Sequence, residues 1–194
     1  MSFAQTVGNS TSLHISALGD SLTVGYMVGH GYFHQFLARL RREYPDCNIT
    51  AENHGICGDT ARGGLRRFTQ ASHPVPQLAI VQFGLNDAFM GIGASDFQSS
   101  LQRLVAEFQR LDAQVLLVPP PVLRDEADNS VARPFIQAHV AVAKATGALV
   151  ADIAGAWEAH SQTEDLWLFD GVHPSEQGYT IMADAVWSAL VSTP

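Results

Sequence analysis

Two kinds of apolar pattern alternate along the chain. Short, nearly continuous runs at 13–18, 78–83, 114–118 and 148–152, and a more polar run at 48–53, have the length and composition of strands. The run at 78–83 (Leu-Ala-Ile-Val-Gln-Phe) reads as a central parallel strand covered on both faces. Between the runs, apolar residues recur at helical spacing. Phe33, Phe36, Leu37 and Leu40 predict a helix over 31–44 that Pro45 closes. Phe97, Leu101, Leu104, Val105 and Phe108 predict one over 96–111, with Ser95 as its N-cap. A third is expected over 131–146, stopped by Gly147. A fourth, over 174–191, has Pro174 at its first position and Ile181, Met182, Ala185, Val186 and Leu190 on one face. Residues 58–68 read as a loop and a short helix weakened by Gly63-Gly64. Strands alternating with helices give βαβ units, hence a parallel, doubly wound α/β sheet with helices on both faces. Residues 119–129 form the longest irregular connection and a candidate pocket wall.

The chain has 194 residues, a length that favours one domain, expected over 13–194 behind a flexible segment at 1–12. With 46% hydrophobic and 15% charged residues the composition is globular. A formal charge of -8 argues against a nucleic-acid partner, which needs a basic stripe. The local groups Arg39-Arg41-Arg42 and Arg62-Arg66-Arg67 read as solvated helix faces. No apolar segment has the roughly 18 residues of a membrane span. The first residues lack the basic and apolar regions of a signal peptide, and Cys47 and Cys57 read as reduced thiols. The expectation is a cytoplasmic protein, with a processed secreted form as the alternative. The histidines show no metal-ligand spacing, so neither metal nor cofactor is expected.

In a doubly wound fold, functional residues collect past the carboxyl ends of the strands. Those positions hold Gly19-Asp20-Ser21-Leu22, then Gly58-Asp59-Thr60, then Gly84-Leu85-Asn86-Asp87, and finally Asp170-Gly171-Val172-His173-Pro174 before the last helix. Together they supply one hydroxyl, one imidazole with a carboxylate three residues before it, and small or amide donors. A serine hydroxyl needs an adjacent base, and imidazole titrates near neutrality. The Asp170 carboxylate can accept from the far ring N–H and fix the tautomer. The Ser21 and Gly58 backbone N–H groups and the Asn86 amide are candidate donors to a tetrahedral oxyanion. Asp20 reads as turn scaffold, and Asp87 as the acceptor of an Asx-turn.

These four pieces, in this order, resemble the sequence blocks of the SGNH (GDSL) hydrolases over nearly the whole chain. The resemblance implies a flavodoxin-like three-layer α/β/α sandwich with five parallel strands in order 2-1-3-4-5. It implies hydrolysis of esters or thioesters, or deacetylation of carbohydrate. The nucleophile would be Ser21, the base His173 and its partner Asp170, with Ser21, Gly58 and Asn86 forming the oxyanion hole. Leu85 departs from the Gly or Thr that many members carry.

Apolar side chains flanking these blocks are candidates for substrate binding: Tyr26 and Met27 after the serine, Leu85, Phe89 and Met90 around the asparagine, Phe169 and Val172 around the aspartate. They favour short to medium acyl esters of a small-molecule substrate. Two other classes stand as alternatives. A flavin- or phosphate-binding module shares the sheet but leaves His173 without a role. A non-catalytic ligand-binding relative leaves the serine, aspartate and histidine without one.

Overall fold

The computed structural model of the protein describes residues 10–160 and 164–191, together with Phe3, Val7 and Gly8. Five strands, β1 (Ser12–Gly19), β2 (Asn48–Gly55), β3 (Leu78–Gln82), β4 (Gln114–Leu117) and β5 (Leu149–Val150), form a parallel sheet in order 2-1-3-4-5. The helices in chain order are α1 (Ser21–Val24), α2 (Tyr32–Glu43), α3 (Ala61–Arg66), α4 (Phe68–Ala71), α5 (Leu85–Phe89), α6 (Ala94–Gln109), α7 (Glu126–Thr146), α8 (Ile153–Glu158) and α9 (Glu176–Val191). The topology is the one the family resemblance implies.

Strand parity sorts the core into two layers, because successive side chains leave a strand on opposite faces. Leu78 and Ile80 of β3, with Leu116 of β4, pack against Phe33, Phe36 and Leu40 of α2 and Met182 and Val186 of α9. Ala79 and Val81, with Val115 and Leu117, pack against Phe97, Leu101 and Phe108 of α6 and Phe135 and Val142 of α7. Every residue of β3 is therefore buried, as its unbroken apolar run requires. Phe3 and Val7 are buried in the first layer. The expectations for residues 1–9 otherwise lie outside the described residues.

Several boundaries differ from expectation for local reasons. Helix α7 starts at Glu126, five residues early, because the Asp125 carboxylate accepts from the Ala127 and Asp128 N–H groups at 2.7 and 3.3 Å. That shortens the irregular connection after β4. Ser95 lies inside α6, whose cap is Gly93. Pro174 is not the first residue of α9; it forms an antiparallel bridge with Trp167, and the Ser175 hydroxyl accepts the Gly178 N–H. Helix α8, with no periodic signal in six residues, has no counterpart in the sequence reading. No helix among the described residues is long and apolar enough to cross a membrane.

Candidate active site

Strand register brings the chemistry together. Gly19 at the end of β1 lies opposite Gly55 of β2 and Gln82 of β3. The three strands stop level, so the residues that follow them share one edge of the sheet. Ser21 opens α1, Gly58 lies in the loop after β2, and Asn86 lies in α5 after β3. The fourth piece arrives from the far side as a tight turn. Leu168 N–H donates to the His173 carbonyl at 2.8 Å, Gly171 N–H to Leu168 at 3.0 Å, and Arg124 N–H to Gly171 at 3.0 Å.

Ser21, His173 and Asp170 form a continuous chain of hydrogen bonds. Asp170 is an acceptor, so the His173 Nδ1–H donates to its Oδ2 at 2.7 Å. Nε2 of the neutral ring is thereby left to accept from the Ser21 hydroxyl at 2.9 Å. Partial burial pushes the Asp170 carboxyl up, but the His173 ring and the His173 and Val172 N–H groups on its oxygens hold it below the usual range. The Tyr26 ring packs against the imidazole, centroids 4.7 Å apart and tilted 43°, and limits its rotation.

The candidate oxyanion donors surround the serine. Ser21 is the first residue of α1, where a helix leaves its N–H groups without intrahelical partners. The Asp20 carboxylate takes the next one, Leu22 N–H, at 2.9 Å. Gly58 has φ +79°, and a Cβ there would meet no atom within 4 Å, so the glycine is required by backbone conformation and not by space. One Asn86 amide hydrogen donates to the Asp59 carbonyl at 2.9 Å, orienting the side chain and leaving its second hydrogen for a ligand.

Asp20 is 1% exposed, and burial pushes its carboxyl up to about 7. Behind Ser21 it meets Gln82 Nε2 at 3.5 Å; Gln82 in turn accepts from the Thr23 hydroxyl, which meets the Tyr32 hydroxyl at 3.1 Å. The turn role read from the sequence is what this geometry gives. Asp87 forms no Asx-turn. Both its oxygens accept the Ala61 N–H at 3.2 Å, which ties α5 to the start of α3, and burial pushes its carboxyl up to about 6.

The chain opens into a cleft of about 410 Å³ lined by Ser21, Tyr26, Cys57, Gly58, Leu85, Asn86, Phe89, Asp170, Val172 and His173. Leu85 and Val172 form its apolar wall, backed by Leu22, Leu123 and Ala132. Three of the side chains grouped with them in the sequence do not line the cleft. Met27 stands in left-handed backbone, φ 59°, beyond the cap of α1 and is largely exposed. Met90 caps α5 and faces solvent, and Phe169 is 82% exposed beside Arg124 and Asp125. Cys57, a free thiol that the sequence pattern does not single out, also lines the cleft, and its place next to Gly58 is the signal the sequence carries for it. A larger groove of about 570 Å³ runs between α2 and α9, but its Arg39 and Thr180 are engaged with Asp184 and Gln35, and the serine chain is elsewhere. Among the described residues no cluster of His, Cys, Asp or Glu could hold a metal ion.

A parallel sheet with a serine, histidine and aspartate in series at the carboxyl ends of its strands is the architecture of an α/β acyl hydrolase. The chain belongs to the GDSL-like lipase/acylhydrolase family, whose pattern matches residues 17–181. It is 25% identical over 197 residues to an arylesterase of Vibrio mimicus, covering 97% of this chain and 94% of that protein. It is 26% identical over 174 residues to an acetylxylan esterase of Geobacillus stearothermophilus, covering 81% of this chain and 80% of that one. The crystal structure of Axe2, an acetylxylan esterase from Geobacillus stearothermophilus, superposes with a TM-score of 0.85 at 21% identity, covering 95% of this chain and 96% of that one, which shows the shared fold.

Proposed function

We propose that the protein hydrolyses carboxylic esters of short to medium acyl chains through an acyl-enzyme at Ser21. The observation that carries this reading is the chain Ser21–His173–Asp170, with links of 2.9 and 2.7 Å, opening into a partly apolar cleft. His173 takes the hydroxyl proton as Ser21 Oγ attacks the acyl carbonyl. The new oxyanion rests on the Ser21 and Gly58 N–H groups and the free hydrogen of the Asn86 amide. Asp170 holds the ring in the required tautomer and stabilises the imidazolium. The proton then passes from His173 to the leaving alcohol, and a water repeats the attack to release the acid. Thioesters fit the same chemistry.

Tyr26, Leu85, Phe89 and Val172 around the cleft favour an apolar acyl or alcohol group. The relative named acetylxylan esterase supports a second reading, removal of acetate from a sugar. A panel of p-nitrophenyl esters of increasing chain length, run beside acyl-CoA and acetylated xylo-oligosaccharide, separates the two. The first reading expects the highest kcat/KM among acetyl to octanoyl aryl esters. It fails if acetylated oligosaccharide is turned over far faster than every aryl ester. Ser21→Ala should lower kcat by about 10⁴-fold or more on whichever substrate is best.

A further inference from the structure

In sequence, Arg67 groups with Arg62 and Arg66 on what reads as a solvated helix face. The structure separates it from them. Arg67 stands at the junction of α3 and α4 with its side chain only 12% exposed, and each nitrogen of its guanidinium has a partner. Nε donates to Asp59 Oδ2 at 2.7 Å, Nη1 to the His54 carbonyl at 2.6 Å, and Nη2 to the Gly19 carbonyl at 3.0 Å. Gly19 is the last residue of β1 and His54 the last but one of β2. Gly19 lies two residues before Ser21, and Asp59 immediately follows Gly58.

Asp59 passes the constraint on. Its second oxygen accepts the Thr60 N–H at 2.9 Å, and its carbonyl accepts the Asn86 amide at 2.9 Å. The loop is also tied to β1 by Ile56 N–H on the Gly19 carbonyl at 3.0 Å, and it closes on itself through Asp59 N–H on Ile56 at 3.1 Å. The approach of α3 depends on two glycines. A Cβ at Gly63 would overlap the Asp59 carboxylate, and one at Gly64 would overlap the Phe83 ring. Gly63-Gly64, which weakens the helix as sequence, is what lets the helix carry Arg67 against the loop. Neither Arg67 nor Asp59 lines the cleft.

We infer that Arg67 is the positioning residue of the oxyanion hole: through Asp59 it holds the Gly58 N–H and the Asn86 amide in register with the end of the serine's strand. This rests on the esterase reading above. A guanidinium suits the task because it is a planar fork able to meet three acceptors in fixed directions, whereas an ammonium offers one compact centre. Misplacing reacting groups by about 1 Å costs on the order of 10²-fold in rate, and losing one oxyanion donor costs about 10²–10³-fold.

The test compares wild type, Arg67→Ala and Arg67→Lys on p-nitrophenyl acetate, with kcat and KM resolved and folding followed by circular dichroism. Ethylguanidinium is added to Arg67→Ala below its denaturing range, with ethylammonium as the control. The expected result is a loss of kcat of about 10²-fold in both folded variants with KM within about threefold of wild type. Ethylguanidinium should restore at least part of the Arg67→Ala loss, and ethylammonium none. Removing one partner of a buried ion pair is destabilising, so Arg67→Lys, which keeps the charge, decides if Arg67→Ala does not fold. A folded variant with kcat within about threefold of wild type overturns the inference, as does a loss confined to KM. Wild type that hydrolyses no ester overturns the esterase reading and this inference together; active wild type with insensitive variants overturns this inference alone.

Discussion

Asp20 is the buried carboxyl beside the serine, and its replacement by asparagine has a consequence that can be worked out from the fold. Burial moves its pKa from 3.8 to about 7. Between those values the folded protein holds a proton that the unfolded chain has released. The contribution of Asp20 is therefore fully present below pH 3.8 and is lost as pH rises through about 7. A shift of this size corresponds to a loss on the order of 4 kcal/mol across the window. Asp20→Asn keeps the oxygen that accepts the Leu22 N–H and cannot ionise. Gln82 can turn its amide to offer oxygen to the new NH₂ group, and the Thr23 hydroxyl can then accept from its nitrogen. The variant should match wild type near pH 4 and exceed it by a margin that grows to roughly 4 kcal/mol by pH 8. Urea unfolding of both proteins at pH values across this range measures the difference. His139 titrates in an overlapping window but cancels when wild type is subtracted from variant; Asp87, whose charge is a minor cause of the Asp20 shift, leaves only a small residue in the difference. A difference that stays flat with pH would refute the reasoning.

His139 gives the opposite slope. It is fully buried, its Nδ1–H donates to the Phe135 carbonyl at 2.8 Å, and burial lowers its pKa from 6.5 to about 4. The unfolded chain takes up the proton first, so wild type should lose on the order of 3 kcal/mol relative to His139→Leu as pH falls through that window, measured by the same unfolding series. Gly58→Ala adds a methyl group with room to spare but in left-handed backbone. It should cost about 1–2 kcal/mol of stability. Its kcat, measured on the same sample, should fall about 10-fold or more as the N–H shifts. Asp170→Asn keeps the shape of the turn and loses the acceptor that fixes the imidazole tautomer; kcat should fall by about 10²–10⁴-fold, no more than in His173→Ala, with the thermal midpoint little changed.

The parts of this fold visible in the sequence are those written by strong local physics. The apolar run of β3 is buried on both faces, and the spacing of Phe97, Leu101 and Phe108 is a buried helix face. Three of the four sequence pieces converge because parallel strands with level ends must place their following residues together, and the fourth reaches them as a hydrogen-bonded turn ahead of α9. What escaped depends on contacts between distant residues. Arg67 has the sequence context of a surface arginine, and only the approach of α3 to the ends of β1 and β2 buries it. Asp87 has the sequence context of a local turn-former, and beyond its local backbone bonds its carboxylate also reaches the Ala61 N–H of another loop. Met27, Met90 and Phe169 are apolar neighbours of the chemistry in sequence, yet the caps of α1 and α5 and the Asp170 turn carry them outside the cleft. Hydrophobicity identifies a wall residue only once backbone direction is known.

The most direct measurement is covalent capture of Ser21 by a fluorophosphonate, read by intact-mass and peptide-level mass spectrometry. Wild type should take up one equivalent, on the peptide carrying Gly19-Asp20-Ser21; Ser21→Ala should take up none, and His173→Ala should react far more slowly. Labelling on another residue, or equal labelling of Ser21→Ala, would contradict the assignment of Ser21 as the nucleophile.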